Sequence, residues 1–296
     1  MGESRLAPRK GLSGLPERLK LHFSSAADSA RINRMFDPDV KKRIDPKGNV
    51  IRRSEEMFSE AVETGSAVFL VNPDMLVRPP KEKQKPAGAL TNITTETPDD
   101  LTDPGIYCIT MGYSAYEPHN DDEESYCPDA IEIGTSLSSL PGFSAVKYVI
   151  AALTLREWWH NKPNNKIVTK IKKDNAPAIH TYGNSLAWEK ITDTDDHAKL
   201  CDLYDIDEDA AALRDWFYAS ASTLKKCADV ILSALQPHEI DGTLCLSRGQ
   251  LVNKRTQQTL DIDFSALEEE GLCIERLQAI SGGITNKRKL MRNIPC

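Results

Sequence analysis

The stretch from Lys166 to Glu189, KIVTKIKKDNAPAIHTYGNSLAWE, constrains the fold more than any other part of the chain. It reads as a short strand over Lys166 to Ile171, a helix opened by Asn175 and running to Ser185, and a second strand led by Trp188 and ending at Thr192. Just upstream, Phe143 to His160 is the strongest helix in the chain, entered through the tight turn at Pro141-Gly142. Strand and helix alternate here within one short segment, so the upstream order decides what the segment belongs to.

Length and composition narrow the choice. The chain has 296 residues, enough for one large domain or two small ones, with 40% apolar and 27% charged residues, as in soluble globular proteins. A net charge of −7 argues against general nucleic-acid binding through a basic surface, which needs a field that attracts phosphates. The opening residues, MGESRLAPRKGLSGLPERLK, lack the apolar core of a secretory signal, and no run of about 18 apolar residues offers a membrane span. The nearest candidate, Phe143 to Trp159, carries Lys147, Arg156 and Glu157 and reads as a buried amphipathic helix. Seven cysteines, at 108, 127, 201, 227, 245, 273 and 296, form no CxxC pair. Neither a zinc site nor a disulfide framework is indicated, so a reducing cytoplasm is the simpler expectation and no metal is called for.

Further elements follow from local signals. Arg18 to Phe23 is a first strand, with a helix from Ala27 and a second from Arg53 to Thr64, capped by Ser54 and stopped by Gly65. Ser66 to Asn72 has the apolar, β-branched run of a buried strand. A loop with Pro79, Pro80 and Pro86 and three lysines precedes strands at Ala87 to Glu96 and Gly105 to Ser114. Glu117 to Asp129 is an acidic loop, and Ala130 to Leu137 a strand. Beyond residue 192 the texture changes: an acidic segment, one or two helices over Asp209 to Leu235, short strands from Glu239, a mixed helix around Ser265 to Ala279, and a basic tail. The expected organisation is an arm over 1–17, a domain over 18–192 and an α+β extension over 193–296.

From Arg18 to Thr192 the order is strand, two helices, three strands, long helix, strand, helix, strand. This order resembles the GCN5-related N-acetyltransferase (GNAT) superfamily, in which an acyl group passes from coenzyme A to an amine. Asn175, Ala178 and Tyr182 keep the family's N-x-x-A-x-x-x-Y spacing, and Ala187-Trp188 stand where Gly-Phe is usual, one residue later. KLHFSSAADSARINRMF resembles the family's opening strand and helix. The resemblance implies an α/β fold, a mixed central sheet flanked by helices, in which two parallel strands splay to admit the thioester.

It also implies site residues. Tyr182 would be the phenol that protonates the departing thiolate; read without the family, it is equally a core or surface tyrosine. Glu132, between Ile131 and Ile133, points to the opposite sheet face from both. It is either the base that deprotonates the amine or a solvent-facing carboxylate. The family's phosphate cradle, R/Q-x-x-G-x-G/A, corresponds here to Ser139-Leu140-Pro141-Gly142-Phe143-Ser144-Ala145. Gly142 and Ser144 take the small positions, Ser139 replaces the Arg or Gln, and Pro141 removes one N–H donor. Leu137, Ser139, Gly142, Phe143, Ser144, Ala145 and Asn175 are thus the expected contacts of acetyl-CoA or another acyl-CoA.

His119 and His180 are further acid–base candidates, each more simply a surface histidine, and Trp158-Trp159 suit a core or interface. The expected partner is an amine-bearing acceptor, small molecule or protein, with no membrane or nucleic acid; a homo-oligomer is compatible with the sequence. Two readings stay open beside the ternary-complex acyltransferase. One is a catalytically inactive protein that keeps the fold for binding or assembly. The other is an enzyme whose donor is an acyl carrier or aminoacyl group, met by lysines 81–85, Lys162, Lys166, Lys170, Lys172 and Lys173.

Overall fold

Strands β1 (Arg18–Phe23), β2 (Ala67–Val71), β3 (Ile106–Tyr116), β4 (Asp129–Ser138), β5 (Ile167–Lys172), β6 (Glu189–Lys190) and β7 (Arg214–Tyr218) form one sheet. Three more, β8 (Leu235–Pro237), β9 (Leu244–Val252) and β10 (Thr259–Asp263), extend it. The strand order is β6-β7-β5-β4-β3-β2-β1-β10-β9-β8. This computed structural model describes residues 16–36, 54–76, 105–116, 129–161, 166–204 and 206–294, with positions 38, 42 and 45. The proline- and lysine-bearing loop, the strand expected over Ala87 to Glu96, and the acidic loop with His119 lie outside them.

Local signals explain why the helices start and stop where they do. In α1 (Ser29–Met35) and α2 (Glu55–Glu63), Ile32, Met35, Phe58, Ala61 and Val62 are buried against the sheet. Ser54 Oγ accepts from the Met57 N–H at 3.3 Å, which caps α2. Gly65, at φ +77°, ends it where a side chain would strike the Arg156 guanidinium. β2 is buried along its whole length: Val68 and Leu70 join one core layer, and Ala67, Phe69 and Val71 the other. A strand covered on both faces has no polar side to show, and its unbroken apolar run follows from that.

Helix α3 (Val146–His160) is buried on nearly every side, not on one face as an amphipathic helix would be. The sheet covers one side and α7 (Ala221–Leu232) the other. Its buried charge, Glu157, is paired within the structure: the half-buried Arg156 donates from Nη1 to Glu157 Oε1 at 2.7 Å, and Ser66 Oγ donates to the same oxygen at 3.0 Å. Burial of these groups is tolerable because they are bonded.

The region after residue 192 departs from expectation. Arg214 to Tyr218 is a strand, not part of a helix, and lies between β5 and β6. Trp216 packs with Val168 and Leu200 on one sheet face, whereas Phe217 joins the main core, a period-2 division that an aromatic pair satisfies well. Helices α5 (Thr194–Leu203) and α6 (Glu208–Ala212) precede it. The helix expected over Ser265 to Ala279 is two, α8 (Ala266–Glu269) and α9 (Ile274–Ser281), separated by Gly271 at φ +78°. The basic tail forms α10 (Lys287–Asn293).

Strands from beyond residue 192 belong to the same sheet as those before it. β7 lies between β5 and the edge strand β6, and β10 pairs in parallel with β1 at Arg18–Asp261, Leu19–Ile262 and Lys20–Asp263. Cys273 is disulfide-bonded, contrary to the reading that no disulfide is indicated. Cys108, Cys201, Cys227 and Cys245 are free, and Cys127 and Cys296 lie outside the described residues. Among the described residues no helix is long and apolar enough to cross a membrane.

Candidate active site

The site is built where β4 and β5 part. These parallel strands share the register pairs Ile131–Ile167 and Glu132–Val168 only. On its other side β4 carries a bulge: between the pairs Ile109–Leu137 and Met111–Gly134, β3 advances two residues and β4 three. Thr135 sits there at φ +46°, its hydroxyl accepting from Tyr113 Oη at 2.8 Å. A bulge bends its strand and re-aims the side chains that follow.

Glu132 is 1% exposed, which excludes the solvent-facing reading. Lys170 Nζ donates to its Oε2 at 3.0 Å. Val168 and Lys170 share one face of β5, so the alternation that turns Glu132 away from the α3 core also brings Lys170 beside it. The Lys170 ammonium lies 5.5 Å from the ring centre of Tyr204 and 5.4 Å from that of Trp216. Both rings come from beyond residue 192.

Tyr182 reaches the same gap from the helical turn His180–Ser185, which continues α4 (Ala176–Ile179) with wider π-type winding. Its ring meets Trp188 edge-on at 5.2 Å, and its hydroxyl approaches the Ile133 carbonyl at 3.5 Å. Burial pushes the phenol up to about 12; the Ser136 and Thr169 hydroxyls pull the other way, and the negative charge of Glu132 adds to the rise. The phenol is therefore neutral and holds its proton at physiological pH. Glu132 and Tyr182, distant in sequence, are thus close enough for the charge of one to act on the other.

The loop from Ser139 to Ala145 lies at the end of β4 and enters α3. Gly142, at φ +87°, and Ser144, at φ +53°, are exposed, while Phe143 is buried in the main core. The Phe143 N–H is directed at the Leu140 carbonyl at 3.5 Å, and the Ser139 N–H at that of Tyr107 at 2.9 Å. The N–H groups of Gly142, Ser144 and Ala145 have no partner among the described residues. The turn after β9 stands over this loop, with Asn253 Nδ2 donating to the Pro141 carbonyl at 3.1 Å. Lys147 is shifted below the usual lysine range by burial and then by the nearby charge of Lys254. Unpartnered N–H groups at the start of a long helix, with two ammonium groups close by, suit an anion such as a pyrophosphate.

No protein-family model matches the chain, and no curated protein matches it. Among solved structures, Arabidopsis thaliana NAA60 is similar, in complex with a bisubstrate analogue and in complex with acetyl-CoA, each at 12% identity and a TM-score of 0.34. The matches cover 68% of this chain and 97% and 96% of those chains. The fold is a mixed α/β sheet flanked by helices. Its element order from β1 to β6, and the parting of β4 from β5, are those implied by the GNAT resemblance.

The remaining expected residues take other places. Leu137 is buried in the layer beneath α1 and α2, in register with Ile109. Asn175 caps α4, its Oδ1 accepting from the Ala178 N–H at 3.3 Å. His180 is exposed, its Nδ1 bonded to Asn184 at 3.2 Å, and lies on the helix surface. Trp158 and Trp159 form a docking face, with Lys287 over the first ring at 5.4 Å and Arg276 over the second at 4.7 Å. Burial pushes the Cys108 thiol up to about 12 and raises Cys227 as well, so neither is a thiolate nucleophile. Among the described residues no His, Cys, Asp and Glu group is placed to hold a metal.

Thr169, Ser136 and Lys254 were not singled out from sequence, and Lys170 was named only among the lysines that could meet a carrier donor. Strand alternation turns Lys170 to the same side of β5 as Val168, but the register that pairs Val168 with Glu132 comes from the tertiary structure. Lys254 had no signal, because nothing local links residue 254 to residue 147.

Proposed function

We propose that the chain is an acyl-coenzyme A-dependent N-acyltransferase that moves an acetyl or other acyl group to an amine by direct attack in a ternary complex. The observation that carries this reading is the break between β4 and β5, flanked by a buried carboxylate, Glu132, and a protonated phenol, Tyr182. In this reading Glu132 accepts the amine's proton and Tyr182 donates one to the departing sulfur. Gly142, Ser144 and Ala145 hold the pyrophosphate through their N–H groups, and Lys147 and Lys254 add charge to a site outside the sheet. Small residues at 142 and 144 let a phosphate approach the backbone closely, so the loop fits the cosubstrate although Ser139 replaces the Arg or Gln.

The test is acetyl-CoA itself. A ligand that binds the native state raises its melting temperature, and a saturating concentration at about 100 times Kd adds roughly 2.7 kcal/mol. An unchanged melting temperature at millimolar acetyl-CoA overturns the proposal. A panel of amines with labelled acetyl-CoA then reads the acceptor class.

A second reading has one observation in its favour. Glu132 and Tyr182 are only 1% and 5% exposed, and the Asn253 side chain lies against Gly142. A protein that keeps the fold for binding or assembly would be closed in this way. Binding of acetyl-CoA with no transfer to any amine favours that reading.

A further inference from the structure

The amine nearest the candidate base belongs to the chain itself. Lys170 Nζ lies 3.0 Å from Glu132 Oε2, and the two side chains are 10% and 2% exposed. Two aromatic faces, Tyr204 and Trp216, flank the ammonium at 5.5 and 5.4 Å. A carboxylate and two ring faces around a cation are what recognition of a primary ammonium requires. Lys170 also lies on β5 beyond its last register pair with β4, next to Thr169, whose hydroxyl acts on the Tyr182 phenol. Lys225, by contrast, pairs at the surface with Asp229 of its own helix.

We infer that Lys170 is itself an acyl acceptor, taking the acyl group of a bound acyl thioester into an internal amide. The inference rests on the acyltransferase reading above. The Lys170 ammonium gives a proton to Glu132, and the freed nitrogen lone pair attacks the thioester carbonyl carbon. As the carbon–nitrogen bond forms, the carbon–sulfur bond breaks and its electron pair stays on sulfur. That thiolate takes the Tyr182 proton, and the second proton lost by nitrogen restores the phenol. The products are an Nζ-acyl lysine, the free thiol and one proton held by Glu132, with no change of oxidation state. Acylation removes the positive charge from between the rings; once Glu132 passes its proton to water, a carboxylate and two aromatic faces are left to receive the ammonium of an external amine.

The test is incubation of the intact protein with acetyl-CoA, followed by whole-protein mass measurement, peptide mapping and a melting curve. The expected result is a single acetyl group on Lys170, added at a rate that saturates with acetyl-CoA and falls roughly a hundredfold in Glu132→Gln. Lys170→Arg keeps a cation beside Glu132 and is expected to take up no acetyl group while still melting higher with acetyl-CoA. Lys170→Met provides a second unmodifiable variant should the longer guanidinium disturb the site. Acetyl-CoA that raises the melting temperature while Lys170 stays unmodified overturns this inference and leaves the acyltransferase reading standing. Acetyl groups scattered over exposed lysines, at a rate indifferent to Glu132→Gln, overturn it too. If acetyl-CoA neither binds nor reacts, the acyltransferase reading falls and the inference with it.

Discussion

The centre at Glu132 and the loop at Ser139 to Ala145 lie on one strand and its exit, yet they are made of different materials. The centre consists of side chains, buried and bonded to partners on β5, α5 and β7. The loop offers backbone instead: Gly142 and Ser144 are exposed, and the N–H groups of Gly142, Ser144 and Ala145 have no partner among the described residues. Acid–base chemistry needs groups withdrawn from water so that their neighbours set their protonation. Anion binding needs donors held outward by backbone angles, at Gly142 and Ser144, that most residues avoid.

Breaking the centre should have the larger effect. Glu132→Ala leaves the Lys170 ammonium without this carboxylate in a buried place, and a loss of about 3–5 kcal/mol in urea unfolding is expected. A loss below about 1 kcal/mol would class the pair with solvated surface bridges. The same variant should lower turnover of any amine found by the panel by at least about a hundredfold.

Tyr182→Phe separates chemistry from stability through pH. The phenol's value rises from 10.0 in the unfolded chain to about 12 in the folded one. The folded state therefore holds the proton more tightly, so this contribution is complete below pH 10 and lost as pH rises through about 12. Melting curves between these pH values should show the wild type losing about 2–3 kcal/mol more than Tyr182→Phe. Parallel alkaline curves for the two proteins would contradict the buried placement.

The loop is tested by Gly142→Val. Its Cβ would stand 2.7 Å from the Asn253 side chain, at φ +87°. A cost of about 1–3 kcal/mol and a raised KM for acetyl-CoA are expected, with kcat less affected. An unchanged KM would remove the loop from the binding site. The smallest effect is expected from Lys254→Ala: roughly fivefold weaker acetyl-CoA binding, about 1 kcal/mol, shrinking as salt is added. A salt-independent loss would point to packing instead of charge.

Much of the architecture was legible because its signals are local. Ser54 before an apolar run, Gly65 after it, the unbroken β2 segment and the Asn175 cap each act within a few residues. RDWFY was misread because five residues between helical stretches do not declare a period by themselves. Its strand exists because β5 and β6 offer open edges on both sides. The same holds around residue 192: a change of composition is visible in sequence, but pairing of β7 with β5 and of β10 with β1 is not.

The site divides along the same line. Sequence by itself determined that Glu132 would face the opposite way from Ile131 and Ile133, since strand alternation is a property of covalent geometry. It also determined that Gly142 could enter a left-handed turn and that Asn175 would cap a helix. Only the tertiary structure decided that Glu132 meets Lys170, that Tyr182 reaches the same gap, and that Tyr204 and Trp216 close around the ammonium. Those meetings depend on the register between strands and on which edges remain open, and both are set by burial summed over the whole chain.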